Sequence, residues 1–105
     1  MPQYLVVGQH PPDLCPSANE TVRKHALEGA GEIPALAEKL GVKVLATYVP
    51  MINHHVYVAV EADDMNAVRE FVWQGGLSQW NTTDVYQVST LEEALGRVQE
   101  MPAIY

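Results

Sequence analysis

The sequence predicts an α+β fold in which helices pack on a four-stranded antiparallel sheet. Four short segments rich in β-forming residues alternate with three longer segments that have apolar residues at helical spacing. The chain has 105 residues, a length that suits one domain with its own hydrophobic core. We therefore expect residues 1–105 to form a single domain.

The N-terminal part of the chain predicts a strand followed by a long helix. Gln3–Gln9 is rich in β-forming residues, and two prolines soon follow it. Ser17 and Glu20 have the spacing of a capping box, and Gly41 is a typical helix stop. Two glycines and a proline interrupt the helical pattern, which predicts a kink or break near residues 29–33.

The remainder of the chain predicts a hairpin, a helix, a strand and a closing helix. These elements are expected as strands at 42–50 and 55–62, a helix at 63–76, a strand at 82–89 and a helix at 90–101. Thr90 and Glu93 form a second capping box, and Asp63 and Asp64 suit the cap of the preceding helix. The order βαββαβ with a final helix is the split βαβ, ferredoxin-like arrangement.

The strand pattern also predicts a homodimer. In residues 5–7 and 57–61, side chains on both alternating faces are largely apolar. A helix-covered antiparallel sheet normally has polar residues on its other face. We therefore expect a second copy of the chain to cover that face, sheet against sheet.

Three segments carry a resemblance to a known group of proteins. QYLVVGQH, HHVYVAVEADD and WNTTDVYQV resemble the GYD-domain group and related small proteins of the dimeric α+β barrel superfamily. That superfamily includes cofactor-free monooxygenases, isomerases, haem-degrading enzymes and small nickel-binding proteins. The resemblance implies a ferredoxin-like fold and a dimeric α+β barrel, and it leaves the chemistry open because one fold hosts many sites.

Charge and composition argue against several classes of partner. The formal net charge is −7 and no run of Lys or Arg occurs, so we expect neither nucleic-acid nor membrane-surface binding. The apolar runs are too short to span a bilayer, and the N-terminal residues lack signal-peptide features. A single cysteine forms no internal disulfide, which suits a reducing compartment. A cytoplasmic location is therefore expected.

The topology predicts a cluster of metal-binding side chains at one edge of the sheet. The first and third strands are neighbours and antiparallel, so His10 at the end of one lies near His54 and His55 at the start of the other. Cys15 follows in the next turn, and Met51 lies in the hairpin connector. Such ligands suit copper, nickel, zinc or iron. Because strand neighbours point to opposite faces, only one of the two adjacent histidines should join His10 and Cys15, with Met51 or a residue of a partner chain as an optional ligand.

Two further functional interpretations remain open. Cys15 near a helix start would favour a thiolate, which suits a thiol or sulfur carrier. A cofactor-free monooxygenase or isomerase, or a small-molecule binder, would instead use a pocket between sheet and helices, with His10, His54 or Glu61 as the base. The aromatic residues proposed for that pocket are Tyr4, Tyr48, Tyr57, Trp73, Trp80 and Tyr86.

Polar loop histidines and an inert cysteine would explain the pattern without any site, and His25 is expected to be a surface residue.

Overall fold

A computed structural model covers residues 1–105 and has four strands and three helices in the predicted order. They are β1 (Gln3–Gln9), α1 (Glu20–Leu40), β2 (Lys43–Tyr48), β3 (His55–Glu61), α2 (Met65–Gln74), β4 (Thr82–Val88) and α3 (Leu91–Val98). Short 3-10 turns lie at Pro12–Leu14, before α1, and at Leu77–Gln79, before β4.

The sheet has the strand order β2-β3-β1-β4, and all three pairings are antiparallel. The central strand β1 pairs with β3 and β4 along its whole length, so that Gln9 lies opposite both His55 and Thr82. The C-terminal end of β1 therefore lies between the first residues of β3 and β4. This α+β arrangement is compatible with a ferredoxin-like fold.

The hydrophobic core lies between one face of the sheet and the helices α1 and α2. Every second residue of β1 and β3 points into it, as the period of two in a strand requires. The buried core residues are Tyr4, Val6, Ala37, Val42, Val56, Val58, Val60, Ala62, Val68, Phe71 and Val72. Val60 and Val68 are fully buried, and burial of one such side chain contributes about 1.5–3 kcal/mol.

The start of α1 differs from the prediction, because Ser17 is not its cap. The helix begins after Asn19, whose Oδ1 accepts a hydrogen bond from the Val22 N–H at 3.0 Å. Ser17 lies in the preceding turn, where its hydroxyl contacts Cys15 and its carbonyl accepts a hydrogen bond from Arg23 Nη2. The predicted capping box at Ser17 and Glu20 was therefore wrong by two residues.

The predicted break near residues 29–33 does not occur, since α1 is one continuous helix. Pro34 has no N–H for the carbonyl of Ala30, but both residues are exposed, so water can solvate that carbonyl. Ala37 is part of the core, and Ile33 and Leu36 pack against it. Packing of this apolar face outweighs the weak helix propensity of glycine and proline.

The other helix starts agree with the sequence. Asp64 Oδ1 accepts a hydrogen bond from the Ala67 N–H at 2.9 Å, and Thr90 Oγ1 accepts one from the Glu93 N–H at 3.2 Å. β2 is shorter than predicted because its pairing with β3 shifts between Val44 and Ala46 and ends at Tyr48. No helix combines the length and the apolar character that a membrane crossing requires.

The second face of the sheet carries the apolar residues that led us to expect a dimer. Leu5, Val7, Tyr57 and Ala59 alternate with the buried core residues, so they lie on the opposite face, where they are only partly buried. The helix α3 has no buried residue, and its Leu91, Leu95 and Val98 share one helical side while remaining exposed. The homodimer through the open sheet face stays a prediction.

We predict a dimer of about twice 11.6 kDa in analytical ultracentrifugation of the untagged chain. Leu5→Glu should give a folded monomer, because a charge in the centre of a sheet-to-sheet interface is costly to bury. Ala35→Glu on the exposed side of α1 should leave the dimer intact. A monomeric wild-type chain at micromolar concentration would contradict the predicted dimer.

Candidate metal centre

Three side chains meet at the C-terminal end of β1. His10, Cys15 and His54 each offer one ligand atom, and these atoms all lie within 4.8 Å of one another. His10 directly follows β1 and His54 directly precedes β3. The His10 N–H donates to the His54 carbonyl at 3.1 Å, which extends the pairing of these two strands by one residue. The strand register therefore places the two imidazoles side by side.

Cys15 is placed by the turn between β1 and α1. Pro12 begins the Pro12–Leu14 3-10 turn, a position that suits the fixed φ of proline. The Cys15 N–H donates to the Pro12 carbonyl at 3.2 Å, and the Cys15 carbonyl accepts from the Asn19 N–H at 2.9 Å. Backbone hydrogen bonds on both sides thus hold the thiol beside the histidines.

The tautomer of His10 is set by Asn81, a residue that the sequence analysis missed. His10 is 6% exposed, and its Nδ1 lies 2.8 Å from Asn81 Oδ1. Asn81 Nδ2 donates to the Leu77 carbonyl at 3.1 Å, so its Oδ1 must face the imidazole as an acceptor. In the neutral ring Nδ1 then carries the hydrogen, and Nε2 keeps its lone pair.

This Nε2 atom of His10 is buried and has no hydrogen-bond partner. A buried polar atom without a partner is costly, and such atoms in folded proteins call for an explanation. A metal ion would supply the missing partner, and an outer-shell acceptor on the other ring nitrogen is the usual arrangement for a ligating histidine. The residues present therefore fit a metal ion.

The position of Asn81 depends on a glycine in β1. A Cβ atom at Gly8 would lie 3.1 Å from Asn81 Oδ1, closer than most real Cβ contacts. Asn81 directly precedes β4, whose first residue pairs with Gln9. Asn81 thus stands to β4 as His54 stands to β3, and the pairing of β1 with β4 is the signal in the topology that predicts Asn81 beside His10.

Aromatic packing fixes the His10 ring from two sides. The ring centroid lies 5.0 Å from that of Trp80, with a tilted geometry, and 5.5 Å from that of His54, with a T-shaped geometry. Such edge and tilted contacts are favourable for aromatic rings. His10 is thus held by packing and by one hydrogen bond, so its orientation does not depend on a ligand.

The Cys15 thiol is acidified by its neighbours. Hydrogen bonds from the hydroxyl and the backbone N–H of Ser17 lower the pKa of Cys15 from 9.0 to about 6. The Ser17 hydroxyl lies 3.0 Å from Sγ. The dominant cause is therefore the Ser17 side chain rather than the α1 dipole expected from the sequence, because α1 begins only at Glu20. At neutral pH the thiolate predominates, and the thiolate is the form that binds metals.

The structure separates His55 from this group and leaves Met51 as an exposed residue near it. His55 lies on the other side of the strand, stacked on Tyr57 with a centroid distance of 5.9 Å, so of the two adjacent histidines His54 is the one that joins His10. Met51 is 94% exposed, although it lines the cavity described next. His25 is exposed, as expected.

A cavity of about 470 Å³ lies between the sheet and the helices α1 and α2, and His10, Cys15 and His54 all line it. Of the six aromatic residues proposed from the sequence, only Trp80 lines this cavity. Tyr4 is part of the core, and Tyr57 lies on the other face of the sheet because strand residues alternate. The remaining three, Tyr48, Trp73 and Tyr86, are exposed. Glu61, proposed as a base, lies at the opposite end of β3 from His54.

The donor set of the cluster is two imidazole nitrogens and one thiolate. Around a tetrahedral ion with bonds of about 2.0–2.3 Å, ligand atoms lie roughly 3.5 Å apart. The observed separations of up to 4.8 Å would thus close by about an ångström on binding.

Comparison of the sequence with protein-family models gives no match, and no curated protein matches it.

We predict that alkylation of Cys15 by iodoacetamide, in the metal-free protein, follows a titration with a midpoint near pH 6. The rate should rise with pH up to this value and then level off, because the thiolate is the reactive form. Ser17→Ala should move the midpoint upward, towards the usual thiol pKa of about 8.5, because it removes the hydroxyl donor. Ser89→Ala, at an exposed serine beyond β4, is the matched control. A wild-type rate that still rises steeply above pH 8 would contradict the lowered pKa of about 6.

Proposed function

We propose that this protein binds a transition metal ion through His10 Nε2, Cys15 Sγ and one ring nitrogen of His54. The observation that carries the proposal is the convergence of His10, Cys15 and His54, whose ligand atoms lie within 4.8 Å of one another and include the buried, unpartnered Nε2 of His10. The net charge of −7 favours the approach of a cation. The chemistry of these donors suits copper and zinc best, since thiolate is a soft ligand.

Nickel and iron are further candidates, since imidazole binds both. The resemblance to the GYD-domain group and its superfamily adds weight to nickel, because small nickel-binding proteins belong to that superfamily. The proposal does not depend on one metal. It depends on three donors that converge, with His10 oriented by Asn81 just before β4 and Cys15 held by the turn before α1.

Three protein ligands leave one position of a tetrahedral ion open. Structural zinc sites normally use four protein ligands, whereas catalytic sites use three. The core residues also pack without any contribution from the cluster other than the packing of His10. The metal is therefore proposed to serve binding or chemistry rather than folding.

We predict that untagged protein binds one zinc or copper ion per chain in calorimetric titration. Cys15→Ser, His10→Ala and His54→Ala should each lower the affinity by more than the roughly 10–100-fold that follows loss of an outer-shell partner. The chain should stay folded in each case, and a circular dichroism spectrum checks this. Melting of the wild-type chain should shift upward with metal, since a ligand at 100 times its Kd adds about 2.7 kcal/mol of stability.

His55→Ala provides the matched control, because this histidine is the sequence neighbour of His54 and lies outside the cluster. His25→Ala provides a second control at the rim of the same cavity. Both variants should bind metal as the wild type does. Equal affinities in Cys15→Ser, His10→Ala and the wild type would refute the site.

We further predict that Asn81→Ala lowers metal affinity by about 10–100-fold although Asn81 is not a ligand. The substitution removes the acceptor at 2.8 Å that holds the hydrogen on His10 Nδ1, so Nε2 is no longer the fixed donor. Asn81→Asp keeps an acceptor at this position and should retain most of the affinity. If Asn81→Asp loses as much affinity as Asn81→Ala, the effect is one of packing and the positioning role is wrong.

A thiol carrier is the second candidate function, favoured by the low pKa of about 6 and the partial exposure of Cys15. Alkylation in the presence of one equivalent of zinc separates the two candidates. A metal ligand becomes protected from iodoacetamide, whereas a free carrier thiol reacts at the metal-free rate. Protection that disappears in His54→Ala would assign the thiol to the metal site.

A further inference from the structure

The cavity beside the cluster is lined by none of the thirteen acidic or six basic residues of the chain. More than half of the lining residues are hydrophobic, among them Ala26, Ile33, Val49, Phe71 and Trp80. Its volume of about 470 Å³ falls in the range of roughly 300–1,000 Å³ that is typical of small-molecule sites. The polar groups of the wall include the three proposed metal ligands.

We propose that this cavity binds a small apolar molecule that carries one thiol, and that its sulfur takes the fourth position of the metal held by His10, Cys15 and His54. This inference rests on the proposed metal site. All three ligands line the same cavity, so the hydrocarbon part of the molecule would lie against the apolar wall while its sulfur reaches the ion.

Charge is the first reason to favour a thiol over a neutral donor. A divalent ion with two neutral imidazoles and the Cys15 thiolate keeps one positive charge. Beside a largely apolar wall this charge is poorly solvated, so an anionic donor is favoured. On binding to zinc or cobalt(II), the thiol releases its proton to solvent and displaces a water molecule, and no electron is transferred.

The softness of sulfur as a metal ligand is the second reason to favour a thiol. A sulfur donor suits copper and zinc, the two metals that the donor set of the site favours. The wall also carries no Lys or Arg to pair with a carboxylate or a phosphate. Acidic metabolites with several charges therefore do not fit this cavity.

The test uses cobalt(II)-loaded wild-type protein in oxygen-free buffer, titrated with straight-chain thiols from ethanethiol to hexanethiol. The cobalt affinity is measured first, without thiol. Added thiol should increase the thiolate-to-cobalt charge-transfer absorption, and each methylene should tighten binding about fourfold until the cavity is full. Metal content after gel filtration shows that the thiol has not removed the ion.

Two variants of α1 test the location. Ala26 lines the cavity and Ala35 lies on the exposed side of the same helix, outside it. Ala26→Phe should keep the cobalt affinity and abolish the dependence of thiol affinity on the length of the alkyl chain. Ala35→Phe should keep both the cobalt affinity and this dependence. Val49→Phe in the hairpin connector replaces Ala26→Phe if that variant fails to fold, and the wild-type series is decisive by itself.

The outcomes distinguish the two proposals. Cobalt binding with an affinity for thiols that rises with chain length, and that Ala26→Phe flattens, supports both. Cobalt binding without any gain from ethanethiol to hexanethiol overturns the cavity proposal and leaves the metal site standing. Absence of cobalt, zinc and copper binding overturns both, and it is detected before any thiol is added.

Discussion

The simultaneous pairing of β1 with β3 and β4 is the constraint on which the site depends. Because both partners run antiparallel to β1, the residues just before each of them lie beside the residue just after it. That residue is His10, and its two neighbours are His54 and Asn81. The register of β1 with its two neighbours therefore places three residues together: the proposed ligands His10 and His54, and Asn81, which orients His10. The turn into α1 then needs to supply only Cys15.

The site differs from the core in how the hydrogen-bonding requirements of its groups are met. Core side chains such as Val60 stabilise the fold by leaving water, and they need no hydrogen-bond partner. His10 is buried as well, yet one of its nitrogens has an acceptor and the other has none. Cys15, in contrast, receives hydrogen bonds from Ser17 that favour its charged form. The unprotonated Nε2 of His10 beside the stabilised thiolate of Cys15 is an environment suited to a cation. A cation bound there would link the turn before α1 to the end of the sheet.

The sequence predicted the strand order, and through it the proximity of His10, Cys15 and His54, because proline and glycine mark element ends clearly and topology then fixes neighbours. Local hydrogen-bond choices were less predictable. Ser17 and Asn19 both suit a helix cap, and only the folded turn decides that Ser17 contacts Cys15 while Asn19 caps α1. The prediction that aromatic residues line the pocket was wrong for another reason. A strand pattern with apolar residues on both faces does not reveal which face points to the helices, so Tyr57 was assigned to the wrong side.

The small residues of α1 explain why a cavity exists beside the cluster. The sheet-facing side of a helix recurs every three or four residues, and along α1 it carries Ala26, Gly29, Ala30 and Ile33 before it reaches Leu36, Ala37 and Leu40. The larger residues fill the space at the C-terminal half of the helix and build the core there. The alanines and the glycine leave space unfilled at the N-terminal half, which is the half next to His10 and Cys15. The glycine-rich segment that predicted a helix break thus has a different consequence. The helix stays intact there, and its small side chains leave an apolar volume open where three ligand side chains converge.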